Sequence, residues 1–282
     1  MQSHHFMPRR QEGIYFSMVT IKKILFCLFS LLLIALIGCS VDQNEQKPTV
    51  IFIHGWQMGK TNIEDVKRTL KEIFPKHKIE VYSWDASPCY DDFLELIEKT
   101  LSDKSYKTKS VFGRFYEKAS SEESKKLAEY LKRTHPYDLD KVILVGHSLG
   151  GVIAVNTINN LSKEGLRIDR GIFLGAALSA DDKAIGGMLT GSHNFNINIF
   201  NPKDKALEAF RIWKDKQENA FGAGGYKKKC DKSRLIQIEC QEICNNNCPI
   251  HCLVHGNHHY LSTLKKFWIA KNESSPQNAK KQ

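Results

Sequence analysis

The stretch Gly146-His147-Ser148-Leu149-Gly150 sets one hydroxyl between two glycines, after the apolar run KVILV and before GVIAVNTI. The first run reads as a buried strand and the second as a small-residue helix. A serine at such a strand-to-helix junction can be held in a strained backbone conformation if its neighbours lack side chains that would clash. Gly146 and Gly150 meet that need. The bend would lift the Ser148 hydroxyl to the N-terminus of the following helix, where N–H groups and the helix dipole favour developing negative charge. The Leu149 N–H is then one expected oxyanion donor. A serine oxygen attacks a carbonyl only if a base takes its proton and a carboxylate orients that base.

The chain offers His255, His258 and His259 as bases in HGNHHYLSTLKKFW, while His251 lies within a cysteine-rich run. As acids it offers Asp204, in NPKDKAL after the strand-like NINIF, and Asp181 and Asp182 after LGAALSA. A rival chemistry is suggested by GWQMGKT, residues 55–61, which imitates a phosphate-binding loop. Its spacing fails: such a loop has four residues between its glycine and Gly-Lys, and here only Trp56, Gln57 and Met58 intervene. No nucleotide is expected as a partner, and no metal or organic cofactor.

The elements that must position these residues follow a repeated order. TVIFIHG, KIEVYSW, KVILVG, RGIFLGAAL, NINIF and RLIQIE read as six strands, several of them continuously apolar as in sheets covered on both faces. Helices are predicted over 62–74, around 91–101 and 122–133, over 150–161, from 205 to about 214, and from Tyr260 to about Lys271. A polar, Ser/Lys-rich connection separates the second and third of these. Strands alternating with helices predict an α/β protein with one doubly wound, mainly parallel sheet. A single domain is expected over 49–271, with a disordered tail over 272–282.

GHSLGG at the bend and IFIHGW after the first strand resemble the α/β-hydrolase superfamily, and the resemblance spans roughly residues 49–270. It implies the α/β-hydrolase fold, a second oxyanion donor at the Trp56 N–H and a structural role for His54. It also implies the order serine, acid, histidine along the chain. Asp204 then falls after the strand where the family usually holds its acid, with Asp181 and Asp182 as rivals one strand earlier. His258 falls in the family's loop into the last helix, with His259 next. The implied enzyme cleaves a small-molecule or lipid carboxylic ester or thioester through an acyl-enzyme. An acyltransferase on the same residues, or a non-catalytic hydrolase-like binding protein of the envelope, are the alternatives.

From Met18 the chain reads MVTIKKILFCLFSLLLIALIGCS, a basic start followed by an apolar segment too short to span a bilayer comfortably, as in an export signal. Leu36-Ile37-Gly38-Cys39 resembles the lipobox of bacterial lipoproteins, which implies cleavage after residue 38 and acylation of Cys39. Residues 1–17 would then be a start-site artefact and residues 39–48 a lipidated tether. The protein is expected in the bacterial cell envelope, held to a membrane by its lipid and facing out of the cytoplasm. The net charge of +10 is dispersed, with no basic block interleaved with aromatics, so nucleic acid is not an expected partner. In an oxidising compartment Cys89, Cys230, Cys240, Cys244, Cys248 and Cys252 are expected to form disulfides of unspecified pairing rather than a zinc site.

Overall fold

The computed structural model describes residues 47–55, 60–86, 90–102, 111–214, 220–226, 233–240 and 251–273, and side chains of the last segment from 259 to 271. All belong to one compact unit, Lys47–Gln282. The expected signal segment, Cys39 and the tether up to residue 46 lie outside the described residues. Among the described residues no helix is long and apolar enough to cross a membrane.

Six strands form one sheet: β1 Thr49–Ile53, β2 Lys78–Tyr82, β3 Val142–His147, β4 Arg170–Leu174, β5 Asn196–Phe200 and β6 Leu235–Glu239. Their order is β2-β1-β3-β4-β5-β6, and every neighbouring pair is parallel. Central strands are apolar at successive positions because both faces are covered, and all five residues of β1 are buried. Ile51, Ile53, Val142 and Leu144 point into one core, and Val50, Phe52, Ile143 and Val145 into the other, as the two-residue period of a strand requires. The edge strand β6 instead alternates Leu235, Ile236 and Ile238 with exposed Gln237 and Glu239.

Helix α1 (Lys60–Ile73) brings Val66, Leu70 and Ile73 to the second core. The excursion after β2 holds α2 (Tyr90–Ser102), α3 (Val111–Glu117), a π-helical segment Lys118–Glu123 and α4 (Ser124–Thr134). The helical run from 111 to 134 replaces the described part of the expected polar connection, from residue 111 on. The sequence hides it because KASSEE, at its centre, is polar and reads as a connection, although the buried Tyr116, Ala119, Leu127 and Leu131 recur at helical spacing. Within the π segment Glu123 is buried, and its carboxylate accepts from the Tyr82 hydroxyl at 3.0 Å.

Beyond β3 come α5 (Leu149–Lys163), α6 (Ala184–Thr190) between β4 and β5, α7 (Lys205–Lys214), a single turn α8 (Phe221–Gly224) and α9 (His251–Glu273). Helices α4, α5 and α6 supply Leu127, Leu131, Val152, Val155, Ile185 and Met188 to the first core, whereas α9 supplies Leu261 and Leu264 to the second. Helix α9 corrects the sequence reading. It starts at His251 rather than at Tyr260, so His255, His258 and His259 lie in helical backbone and not in a loop. Gly256 and Asn257, both poor helix formers without an apolar period, explain why the first turns left no signal.

Candidate functional site

The geometry of the elbow follows from three glycines and one strained serine. Ser148 has φ 52° and ψ −120° and is the one non-glycine residue with positive φ among those described. That backbone region is essentially reserved for glycine, and holding a side chain there costs about 1–3 kcal/mol. The surrounding contacts enforce it. A Cβ on Gly146 would lie 2.5 Å from the Gly150 carbonyl oxygen, and one on Gly150 would lie 2.1 Å from the Ile53 oxygen and 2.6 Å from that of His54. A Cβ on Gly151 would meet the Ala176 Cβ at 2.5 Å. The helix α5 therefore starts in direct backbone contact with the end of β1. The Ser148 N–H donates to Leu174 O at 3.0 Å, and Ser148 O accepts from Gly151 and Ala177 N–H groups at 3.0 and 3.1 Å. Ser148 is half-buried, and no described side chain hydrogen-bonds to its Oγ.

The chain leaves β1 toward β2 on one side and leaves β3 toward β4 on the other, so the sheet changes direction between β1 and β3. In open parallel sheets that is where a crevice forms outside the carboxyl ends of the strands. Ser148 and Gly55 lie there, at the ends of β3 and β1. This is the α/β-hydrolase fold. A Cβ on Gly55 would stand 2.8 Å from the Ser148 Cβ and 3.0 Å from His147 O, so the loop after β1 rests directly on the elbow. His54 fixes that loop. Its Nδ1 lies 2.7 Å from Gly55 O, its Nε2 accepts from the Trp84 N–H at 3.4 Å, and its carbonyl accepts from the Trp84 indole N–H at 2.8 Å. With Nε2 as acceptor, Nδ1 carries the proton and donates to Gly55. Burial lowers the His54 pKa and keeps the ring neutral. Trp56 lies outside the described residues.

The Leu149 N–H opens α5, where the first N–H groups have no partner within the helix, and no described group accepts from it. Asp204 lies in the loop after β5, as expected. Its Oδ1 accepts from the Leu207 N–H at 3.1 Å and its Oδ2 from the Tyr260 hydroxyl at 2.8 Å. Burial raises the Asp204 pKa, opposed by the Leu207 N–H, the Tyr260 hydroxyl and the Ala206 N–H. Asp204 and Tyr260 are thereby brought together, and His258 is next but one before Tyr260 on α9. The His258 side chain lies outside those described.

Sequence reasoning used Tyr260 only as a helix boundary and gave His147 no part. Tyr260 is buried in α9, its ring centroid is 6.0 Å from that of His147, and a Cβ on Gly175 would strike it at 2.7 Å. Gly175 has φ 52° and gives the tyrosine room. Desolvation, together with neighbouring His54, lowers the His147 pKa to about 4, so its ring is neutral beside the serine. The one sequence signal for Tyr260 was its place as the first apolar residue after the paired histidines.

The rival acids have partners of their own. Asp182 accepts from the Ala184 N–H at 2.8 Å at the start of α6 and from the Tyr116 hydroxyl at 3.3 Å, while Asp181 pairs with the Ser179 hydroxyl. Of the cysteines, Cys240 is buried after β6 and its sulfur accepts from the Thr263 hydroxyl at 3.3 Å. Cys89, Cys230, Cys244 and Cys248 lie outside the described residues, as does the side chain of Cys252. Among the described residues no three His, Cys, Asp or Glu side chains gather as a metal site.

Residues 50–173 match the family model for Lipase (class 3). The matched segment runs from β1 into β4. It takes in Gly55 and the whole elbow, spans less than half of the chain, and ends before Asp204 and α9. No curated protein matches the sequence. Solved structures with a similar fold include an arylesterase, at 11% identity and a TM-score of 0.38, covering 79% of this chain and 77% of its own. The NocB thioesterase domain of a nocardicin cluster follows at 10% and 0.37, with 77% and 92% covered. A carboxyl esterase from the fungus Tuber melanosporum stands at 9% and 0.35, with 78% and 80% covered. At such identities and scores they carry no information on chemistry or substrate.

Proposed function

We propose that the protein is a serine hydrolase that cleaves a carboxylic ester or thioester through an acyl-enzyme. The observation that carries this reading is the backbone of Ser148, a non-glycine residue held at φ 52° at the switch point of the sheet. A protein keeps such strain where the strained residue is used. The lipase-family match over the same segment supports it. In this reading Ser148 Oγ attacks the acyl carbon as His258 takes its proton, and Asp204 orients the imidazole. The N–H groups of Leu149 and Trp56 stabilise the oxyanion, each worth about a hundredfold to a thousandfold in rate. His258 then protonates the leaving alcohol or thiol, and water, activated by the same imidazole, releases the acid.

The excursion from 85 to 140 is proposed to cover the site. Tyr116 of α3 packs with Phe210 and Trp213 of α7 at ring-centroid distances of 5.6 and 6.2 Å, tying the excursion to the helix that follows Asp204. An export signal up to residue 38 and a lipid on Cys39 are proposed to hold the enzyme at the envelope. Two measurements test the reading. A fluorophosphonate probe should label the wild type at Ser148, and Ser148→Ala should lower kcat on p-nitrophenyl acyl esters about 10⁴-fold or more. Equal rates for the two proteins overturn the enzymatic reading. Fed labelled palmitate, cells should mark the wild type and not Cys39→Ser; label retained in the variant overturns the anchor.

A further inference from the structure

Tyr260 joins the parts of the site that come from separate segments of the chain. Its hydroxyl donates to Asp204 Oδ2 at 2.8 Å, its ring fills the space left by the absent side chain of Gly175, and it stands beside His147 of the elbow. Gly175 is itself tied into the sheet, its N–H donating to Ile199 O at 3.0 Å, and Ala177 donates to Ser148 O at 3.1 Å. Tyr260 thus touches the loop that flanks the serine and the carboxylate after β5, from the helix that carries His258.

Resting on the hydrolase reading above, we propose that Tyr260 is a positioning residue for the proton-transfer pair, its hydroxyl holding Asp204 ionised and aimed. A carboxylate offers about four lone-pair sites. Leu207, Ala206 and Tyr260 use three of them, which leaves one for an imidazole N–H. The bond to Tyr260 also decides the charge of the acid. Burial disfavours the carboxylate, and the phenol is a donor that favours it, so removing the hydroxyl raises the Asp204 pKa further. The other titratable groups facing Tyr260 are Cys240 after β6 and His147 on β3. The neutral His147 ring brings no charge that could replace the lost donor. The phenol itself stays protonated, because burial and the adjacent carboxylate raise its pKa.

The test compares wild type, Ser148→Ala, Tyr260→Phe, Asp204→Asn and the double variant Tyr260→Phe/Asp204→Asn on a p-nitrophenyl ester across pH. Tyr260→Phe removes only the hydroxyl. It should lower kcat about tenfold to a hundredfold, the weight of a hydrogen bond to a charged group, with KM nearly unchanged. The acid limb of the kcat profile should move up by about one pH unit, since less carboxylate remains to sustain the base. In the Asp204→Asn background the same change should cost less than threefold. An acid limb at the wild-type pH, or equal losses in both backgrounds, overturns the positioning role. Should Tyr260→Phe lack a cooperative thermal transition, 3-fluorotyrosine at position 260 decides instead, because it keeps the shape and is a stronger donor. The acid limb should then move down, and an unmoved limb overturns the proposal. Full activity of Ser148→Ala would sink the hydrolase reading itself. An inactive Ser148→Ala beside an unaltered Tyr260→Phe sinks only this inference.

Discussion

If the elbow stores strain at Ser148, relieving it should stabilise the fold, and the comparison of Ser148→Gly with Ser148→Ala reads that energy together with glycine's advantage over alanine as a helix N-cap. Both variants lack the hydroxyl, but alanine keeps a Cβ at φ 52° and ψ −120° whereas glycine adopts these angles freely. Relief is worth about 1–3 kcal/mol. Two effects oppose it. Glycine widens the unfolded ensemble, worth about 0.4–1 kcal/mol, and it gives up a Cβ that packs against Gly55, worth a fraction of the ~0.8 kcal/mol of a fully buried methylene. The glycine variant should therefore be the more stable by about 1 kcal/mol. In a domain of this size that corresponds to roughly 2–4 °C in Tm. Urea denaturation at neutral pH, with equal m-values for the two proteins, gives the difference directly. Ser148 is also the N-cap of its helix, a position where glycine is already favoured over alanine, so a glycine variant less stable than the alanine variant refutes the strained elbow.

The contact between α5 and β1 predicts that Gly150→Ala destabilises the protein by about 3 kcal/mol or more, since its Cβ would overlap the Ile53 carbonyl with no flexible side chain to yield. Gly165→Ala, at φ 76° but in open space, should cost only about 1 kcal/mol in the same denaturation assay. His147 predicts a pH dependence: its folded-state pKa near 4 lies below the unfolded value near 6.5, so the unfolded chain takes up the proton first. The stability that the neutral ring contributes is complete above about pH 6.5 and is lost as pH falls toward 4, by about 2–3 kcal/mol. His147→Asn should remove that loss, visible as a smaller drop in stability between pH 7 and pH 4.5 than in the wild type.

The parts of this molecule that were legible in the sequence are those whose physics is local. The central strands announced themselves because a strand covered on both faces must be apolar at successive residues, as in VIFI of β1 and VILV of β3. The elbow was legible because no ordinary neighbour fits beside a serine in that conformation. Asp204 was placed after β5 by order along the chain, and the structure finds it there. The illegible parts depend on partners distant in sequence. The π segment at 118–123 has residues KASSEE that look like a solvated loop, and the partner of its buried Glu123, the Tyr82 hydroxyl, lies 41 residues away. The early start of α9 was concealed by residues of low helix propensity. The bond from Tyr260 to Asp204 joins positions that no local pattern connects.

That division has a physical counterpart in how the site is assembled. One half is tightly packed: Gly55 rests on Ser148, Gly150 rests on Ile53 and His54, and His54 is pinned by Trp84, so the elbow and residues 54–55 form one packed body. It lies inside the segment matched by the lipase-family model. In the other half a hydrogen bond of 2.8 Å ties Asp204 to Tyr260 of α9, and α9 meets the first half through that tyrosine, packed on Gly175 and beside His147. A hydroxyl poised on a rigid elbow is of little use if its base arrives in a range of positions, because a misplacement of about 1 Å can cost a hundredfold in rate. In the proposed hydrolase, tight packing therefore suffices for the nucleophile, while the proton-transfer pair needs a directed polar contact to set its distance. For this reason a change at Tyr260 should act on kcat, whereas a change at Gly150 should act first on folding.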